Sequence, residues 1–203
     1  MHHPMPQPLR PTTLRMAGML AMVSAVSSLP LFWLSLRFEG RHDDLAQTVQ
    51  LLLQVGGTGI FVALTTLFRE FLTRNCLFRK ADAIIIGLIV LNLVYAVTSS
   101  IALLVPRLEE QLLLVLAPLV IVLGIAQAGL GMRLFALEHD LAGMKRPYCW
   151  LNIVTGICLA SLLLVSLAVI VSAVADVMLG TIFFQEARRL SLSPRAGSTP
   201  EPR

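Results

Sequence analysis

The sequence has little charge for its length. Only 14% of its 203 residues are charged, whereas 56% are hydrophobic, and the mean hydropathy is +0.79. Soluble domains usually carry about 25% charged residues. A water-soluble fold of this size needs more charge to cover its surface, so the composition argues against a soluble domain and favours one membrane domain.

Cysteine is also scarce. Cys76, Cys149 and Cys158 are too few and too scattered for a disulfide framework. The first two fall at predicted membrane boundaries on the same side, so a redox pair stays an alternative to two isolated thiols. The sequence has no HExxH zinc motif and no Cys-x-x-Cys pair, and the run Gly56–Gly59 lacks the surroundings of a phosphate-binding loop. We therefore expect no metal and no cofactor.

The net charge of +4 comes from 16 basic and 12 acidic residues. The basic residues stand in short loops and tails beside apolar segments, where lipid headgroups attract them. Nucleic-acid binding would need a basic face on a folded module, and the pattern offers none. The expected partner is therefore the lipid bilayer, and no nucleic acid.

Long apolar runs make up most of the sequence. They cover residues 16–36, 45–68, 83–105, 112–137 and 149–175. Each has the roughly 20 residues that a helix needs to cross about 30 Å of hydrocarbon. The first run is longer than a cleavable signal core, although cleavage near Ser28 is an alternative. The runs predict an all-α, polytopic transmembrane helix bundle with about five spanning helices and short loops, in a domain of residues 14–184.

The two ends of the chain are less apolar. Residues 1–13 are rich in proline and histidine, which predicts a flexible leader, and residues 185–203 are predicted to form a disordered basic tail. The last apolar region is too long for one crossing, since residues 148–184 would extend about 55 Å as a helix. It must tilt, project or break, and Asp176 is the expected point where it reaches the interface.

Basic residues concentrate in the leader and in the second and fourth loops. By the positive-inside rule this predicts a cytoplasmic N-terminus, in a bacterial cytoplasmic (inner) membrane. Five crossings would then place the tail outside, although it carries Arg188, Arg189, Arg195 and Arg203. An inverted orientation, a run that fails to cross, or a weak influence of late charges would each resolve this conflict.

No ionisable residue is expected near the middle of a run. Arg133 and Asp176 are interpreted as charges at membrane ends, so the usual machinery of proton relays and ion-coupled transport is missing. Milder polar side chains recur at helical spacing and form a predicted polar seam: Gln47, Gln50, Gln54, Thr58, Asn92, Tyr95, Ser99, Gln127 and Asn152. The seam could line a solute pocket or narrow pore, but amides that hold helices together are the favoured interpretation.

Small residues recur at helical spacing too. The members of this pattern are Ala117, Gly124 and Gly131, Gly59 with Ala63, and Gly156 with Ala160. Such faces let helices approach closely, within a subunit or between subunits of a homo- or hetero-oligomer. Together with the missing catalytic motifs, they make a non-enzymatic accessory or scaffolding subunit the leading hypothesis.

Two other functions are weighed against it. The alternative is a small-solute transporter or channel lined by the polar face of the second helix. A third, lipid enzymology, would use one of two acidic clusters that contain histidine, Glu39/His42/Asp43/Asp44 or Glu138/His139/Asp140. Solvated loop residues are the favoured interpretation of both clusters.

Overall fold

The computed structural model describes residues 8–38 and 43–192, and within these ranges it contains six α-helices and no strand. They are α1 (Pro11–Phe38), α2 (Asp44–Arg74), α3 (Asp82–Leu104), α4 (Glu109–Leu134), α5 (Lys145–Ala160) and α6 (Val165–Leu192). All except α5 are long and apolar enough to span a membrane. The predicted all-α bundle with five spanning helices is confirmed, and these helices fit a multi-pass membrane protein.

The six helices form a ring. Each helix contacts its neighbours in the sequence, and α6 closes the ring against α1. The most extensive contacts join α1 to α6 and α4 to α5, and the least extensive join α2 to α1. Between described residues, no helix contacts one across the ring. The interior is therefore not filled by a central helix.

One end of the ring gathers both ends of the described chain. The Leu9 backbone N–H donates to Asn75 Oδ1 at 3.1 Å, and His139 Nε2 lies 3.3 Å from Glu186 Oε1. These contacts bring the start of α1, the α2–α3 and α4–α5 connections and the last turns of α6 together. This basic end carries Arg10, Arg15, Arg69, Arg74, Arg79, Lys80, Arg133, Lys145, Arg146, Arg188 and Arg189. The opposite end has only Arg37 and Arg107 among the described residues.

The apolar core occupies the half of the ring near the basic end. Phe71 and Phe183 pack edge-to-face with ring centroids 5.6 Å apart, and both side chains are fully buried. The remaining core residues come from the first turns of α1, α3 and α5, the last turns of α2 and α4, α6 from Ala175 onward, and the α2–α3 and α4–α5 connections. The half near the opposite end contributes none of them. Burial of large side chains therefore closes one half of the ring and leaves the other open.

Glycine allows α4 and α5 to pack backbone to backbone. A Cβ atom on Gly124 would lie 2.5 Å from the Ala160 nitrogen and the Gly156 oxygen. The last turn of α5 therefore stands against Gly124, fifteen residues after the start of α4. At 1.5 Å per residue, about 22 Å of α4 continues beyond α5 toward the opposite end.

The last apolar region breaks earlier than expected. The sequence pointed to Asp176, but α5 ends at Ala160 and α6 begins at Val165. Leu162 adopts a left-handed backbone with φ 56°, and the Leu164 N–H donates to the Ser161 hydroxyl. The α-helix ends where this conformation interrupts it, whereas Asp176 has a side-chain partner inside the bundle and leaves α6 intact.

Both terminal segments are more ordered than the sequence indicated. Helix α1 begins at Pro11, inside the expected leader 1–13, because proline in a first turn has no N–H to lose. Helix α6 continues to Leu192, inside the expected tail 185–203, because Glu186 and Ala187 are buried against the bundle. The rest of both segments, 1–7 and 193–203, lies outside the described residues.

The close approach of α4 and α5 predicts a strong effect for Gly156→Ala. The added Cβ would clash with backbone atoms of Ala128 and Gly124, and we expect a loss of about 1–3 kcal/mol in the free energy of unfolding. Gly57→Ala is the matched control, since no atom lies within 4 Å of a Cβ there. Helix propensity makes the control neutral or stabilising by up to ~1 kcal/mol. Unfolding in detergent micelles measures both, and equal stabilities would contradict the α4–α5 packing.

Candidate functional site

A cavity of about 940 Å³ with a mixed polar and apolar lining occupies the ring, and all six helices line it. Near the basic end it stops at Phe68 and Tyr148, which pack edge-to-face at 5.6 Å, and at the buried Leu130 and Leu179. Toward the opposite end the lining continues through Ser35, Gln50, Ser99 and Ser166, none of which is buried. The cavity is therefore closed at the basic end and open toward the other.

Most of the predicted polar seam lines this cavity. The lining members are Gln50, Gln54, Asn92, Tyr95, Ser99, Gln127 and Asn152. Gln47 and Thr58 do not line it, although they share the helical spacing of the α2 glutamines. The structure thus brings seam residues from four helices to one space.

Asp176 holds a different position from the one expected. It lies eleven residues after Val165, in the middle of α6, and it lines the cavity instead of ending the helix. The Ser24 hydroxyl of α1 donates to Asp176 Oδ2 at 2.7 Å. No lysine, arginine or histidine of the described chain lines the cavity. Arg133, by contrast, lies exposed in the last turn of α4.

Part of the seam does hold helices together. Gln127 Nε2 donates to Asn152 Oδ1 at 2.6 Å across the α4–α5 contact, and Asn152 Nδ2 donates to the Tyr148 carbonyl oxygen at 2.8 Å. Hydrogen bonds of this kind stabilise membrane bundles by about 0.6–2 kcal/mol. For this pair of side chains the structural interpretation of the seam agrees with the geometry.

Two other lining groups have no hydrogen-bond partner among the described residues. Asn92 Oδ1 and Thr155 Oγ1 are buried atoms without a hydrogen bond, and Thr155 is only 4% exposed. An unsatisfied buried polar atom costs about 1–3 kcal/mol. A solute that donates hydrogen bonds to them would recover that free energy, which distinguishes these groups from the Gln127–Asn152 pair.

Sequence reasoning missed the contribution of α1. Ser24, Ser28 and Ser35 line the cavity from this helix. Their spacings of four and seven put them on one helical face, a signal that was present in the sequence. Serine is common in membrane helices, and the Ser28 hydroxyl bonds the Ser24 carbonyl of its own helix, so the pattern alone does not distinguish a lining face from local bonding.

A smaller cavity of about 330 Å³ opens beside the first, where α5 ends. Its outer lining includes Val120, Leu123 and Leu162, and its inner lining includes Asn92, Tyr95 and Gln127, which also line the central cavity. We call this space the cleft. It lies between α3 and α4 on one side and the α5–α6 junction on the other.

At the basic end, charged groups form pairs that hold connections in place. Arg69 Nε donates to Asp82 Oδ1 at 3.1 Å, joining α2 to α3. The Leu141 N–H donates to His139 Nδ1, and His139 Nε2 faces Glu186. Arg189 Nη1 lies 3.8 Å from the same carboxylate.

These contacts bear on the two clusters considered for lipid chemistry. His139, from the cluster Glu138/His139/Asp140, ties the α4–α5 connection to α6, which agrees with a structural role. In the other cluster, Glu39 and His42 lie outside the described residues.

No family model, curated protein or solved structure matches the chain in comparisons with known proteins.

Burial at the basic end predicts an unreactive thiol at Cys76, in the α2–α3 connection. Burial, and secondarily the charge of Glu186, raise the pKa of this thiol from 9.0 to about 12. At a given mildly alkaline pH the thiolate population, and with it the rate of iodoacetamide alkylation, should fall about a thousandfold below that of an unperturbed thiol. The rate would be measured against pH in a Cys149→Ala, Cys158→Ala background.

Glu186→Gln should raise the alkylation rate of Cys76, because it removes the second cause of the shift, whereas Glu70→Gln should leave the rate unchanged. The linked stability is fully present below the pKa of the unfolded thiol and is lost as the pH rises toward that of the folded one. An alkylation midpoint near the ordinary thiol pKa would contradict the burial of Cys76.

Proposed function

We propose that this protein is a membrane carrier that binds a small polar solute in the central cavity. The observation that carries the proposal is the mid-helix carboxyl of Asp176, which lines a cavity to which the described residues contribute no basic side chain. A charge inside a membrane costs several kcal/mol, so ionisable residues there mark ligand or ion pathways by default. The cavity volume is within the range of small-molecule sites, about 300–1,000 Å³.

The position of the apolar core favours a carrier over an open channel. Phe68 and Tyr148 close the cavity toward the basic end, and the core below them is continuous to Phe71 and Phe183. A solute that reaches Asp176 from the opposite end therefore meets a packed wall. Passage requires a rearrangement, and α2 is the element with the least extensive contact to its neighbours in the ring.

An accessory or scaffolding subunit is the second candidate. Gly56 and Gly59 lie exposed on α2 outside the cavity lining, with no atom within 4 Å of a Cβ on either of them. A second helix could approach α2 closely there. The same loosely held helix would then be stabilised by a partner. This role does not explain the unpaired Asn92 Oδ1 and Thr155 Oγ1 inside the cavity, so the carrier is the stronger proposal.

The proposed orientation places the basic end in the cytoplasm. Eleven described basic residues lie there against two at the opposite end, and positive charge in short connections marks the cytoplasmic side. Helix α5 starts at the basic end, and after the turn at residues 161–164 helix α6 returns the chain to the same end. Six segments then replace the five expected from sequence, and the arginines at the end of α6 no longer conflict with a cytoplasmic N-terminus.

Cysteine labelling checks this topology. In a variant without native cysteines, Lys80→Cys and Arg188→Cys should react with a membrane-impermeant maleimide from the same side, the cytoplasm. Arg107→Cys should react only from the other side. All three positions are exposed. If Arg188→Cys and Lys80→Cys were labelled from opposite sides, the chain would cross the membrane an odd number of times between residues 80 and 188. This result would refute the proposed topology.

Solute binding is tested by thermal unfolding of the purified protein with a panel of water-soluble amines, amino acids, sugars and nucleosides. We expect at least one class to raise the midpoint, since a ligand at a hundredfold excess over its Kd stabilises the folded state by about 2.7 kcal/mol. Asp176→Asn and the double variant Gln50→Leu, Gln54→Leu should lose this shift. Both alter groups that line the cavity.

The matched controls are Asp44→Asn, at the exposed start of α2, and Gln47→Leu, on α2 outside the cavity lining. Both should keep the shift, and uptake of the same compound into proteoliposomes should follow the same order. A panel without any effect on wild-type unfolding, or equal losses in Gln47→Leu and the double variant, would contradict a carrier built on this cavity.

A further inference from the structure

The ring has an opening in its side wall. Helix α5 ends opposite Gly124, and beyond that level α4 and α6 do not contact each other in the described chain. The cleft lies at this gap. Val120 stands eleven residues after the start of α4 and fourteen before its end, so the gap is near the middle of the helix length. It therefore faces the hydrocarbon of a surrounding bilayer.

The outer rim of the gap is apolar. Val120 and Leu123 of α4 face Leu162 and Val165 at the α5–α6 junction, and the neighbouring Leu163 is 93% exposed. Residues 161–164 are not helical. Non-helical backbone at membrane depth is tolerated where it lines a cavity or is covered by protein. The junction meets this condition because it forms one edge of the cleft.

The inner side of the gap is polar and leads inward. Asn92, Tyr95 and Gln127 line both the cleft and the central cavity, so the two spaces are continuous. An acyl chain in the cleft would contact apolar side chains while the polar part of the same molecule extends toward Asp176. On α6, Asp176 is about 16 Å from Val165 along the helix, which matches the reach of a long alkyl chain.

The polar side chains of the central cavity determine which charge the polar part of such a molecule can carry. Asp176 is the only carboxyl that lines the cavity, and no cationic side chain accompanies it in the described residues. Asn92 Oδ1 adds an unpaired acceptor, and Thr155 Oγ1 a hydroxyl oxygen that is unpaired as well. A primary ammonium group has three donors and a positive charge, and it complements this set. A carboxylate or phosphate would face a like charge without a compensating cation.

We propose that the ligand of this cavity is a long-chain amine that enters sideways from the lipid through the cleft, with its alkyl chain between α4 and the α5–α6 junction and its ammonium group at Asp176. This inference rests on the proposed carrier function and narrows its substrate to amphipathic cations.

Photo-cross-linking tests it. The protein in lipid nanodiscs is illuminated with hexadecylamine that carries a diazirine near the middle of its chain, and modified residues are located by mass spectrometry. We expect labels on Val120, Leu123 and Leu162, and an excess of unlabelled hexadecylamine should remove them. The same probe with a carboxylate in place of the amine is the matched control, and it should label these residues at least about tenfold less, since removal or reversal of one partner of a buried charge pair typically costs more than that factor.

Two variants separate the parts of the proposal. Asp176→Asn should reduce labelling of the cleft by the amine to the level of the carboxylate probe. Leu123→Trp should fill the cleft and reduce labelling by the amine, yet leave the thermal shift with a short water-soluble amine such as ethanolamine intact. Asp44→Asn should change nothing. Circular dichroism and unfolding without ligand check that each variant is folded.

Equal labelling by the amine and carboxylate probes, or labelling that Asp176→Asn leaves unchanged, would show ordinary contact with lipid and would overturn the inference. A short amine that binds through Asp176 while hexadecylamine does not would overturn the lipid route and keep the carrier. Failure of both amines, with binding of an uncharged solute retained, would refute the cationic ligand alone. Failure of every compound would remove the carrier function itself.

Discussion

The close approach of α4 and α5 at Gly124 and Gly156 is the contact on which the open architecture depends. In lipid, helices gain little from burying apolar side chains against each other, and close backbone packing supplies much of the attraction. These glycines fix the height of the short helix α5 beside α4, so the upper part of α4 has no neighbour on that side. The core then fills only the half near the basic end. A cavity in the other half follows from this placement rather than from any defect in packing.

The same constraint explains why a carboxyl can occupy the middle of α6. A charge among closely packed apolar helices would be desolvated without compensation. Asp176 instead lines an open cavity and accepts a hydrogen bond from Ser24, which α1 presents through its extensive contact with α6. The cavity thus accommodates Asp176, the only carboxyl among its described lining residues. Closure at Phe68 and Tyr148 keeps this space from crossing the whole ring.

The sequence predicts the class of fold well because hydrophobic length is a local property that the bilayer thickness translates directly into helices. It also identifies seven residues of the cavity wall, from Gln50 to Asn152, through their helical spacing. It does not predict the break at 161–164. Ser161 is followed by three leucines, all good helix formers, and neither glycine nor proline marks the end of α5. The break depends on the left-handed backbone of Leu162 and on packing against α4, which are properties of the folded bundle. The expectation that the last apolar region breaks near Asp176 is wrong for the same reason, since the position of Asp176 in the bundle depends on where α6 begins.

That one break has consequences at both ends of the molecule. It shortens α5, which opens the wall of the ring at the cleft, and it reverses the chain, so that the last turns of α6 reach the basic end, where Glu186 lies beside His139. A continuous helix from Tyr148 would have carried the arginines at 188 and 189 to the opposite end, away from every other cluster of positive charge. With the break, the charges of α6 join those of α1, α2 and α4 at one face. The distribution of charge and the lateral opening, which share no residues, therefore follow from one conformational feature, the interruption of the helix at Leu162.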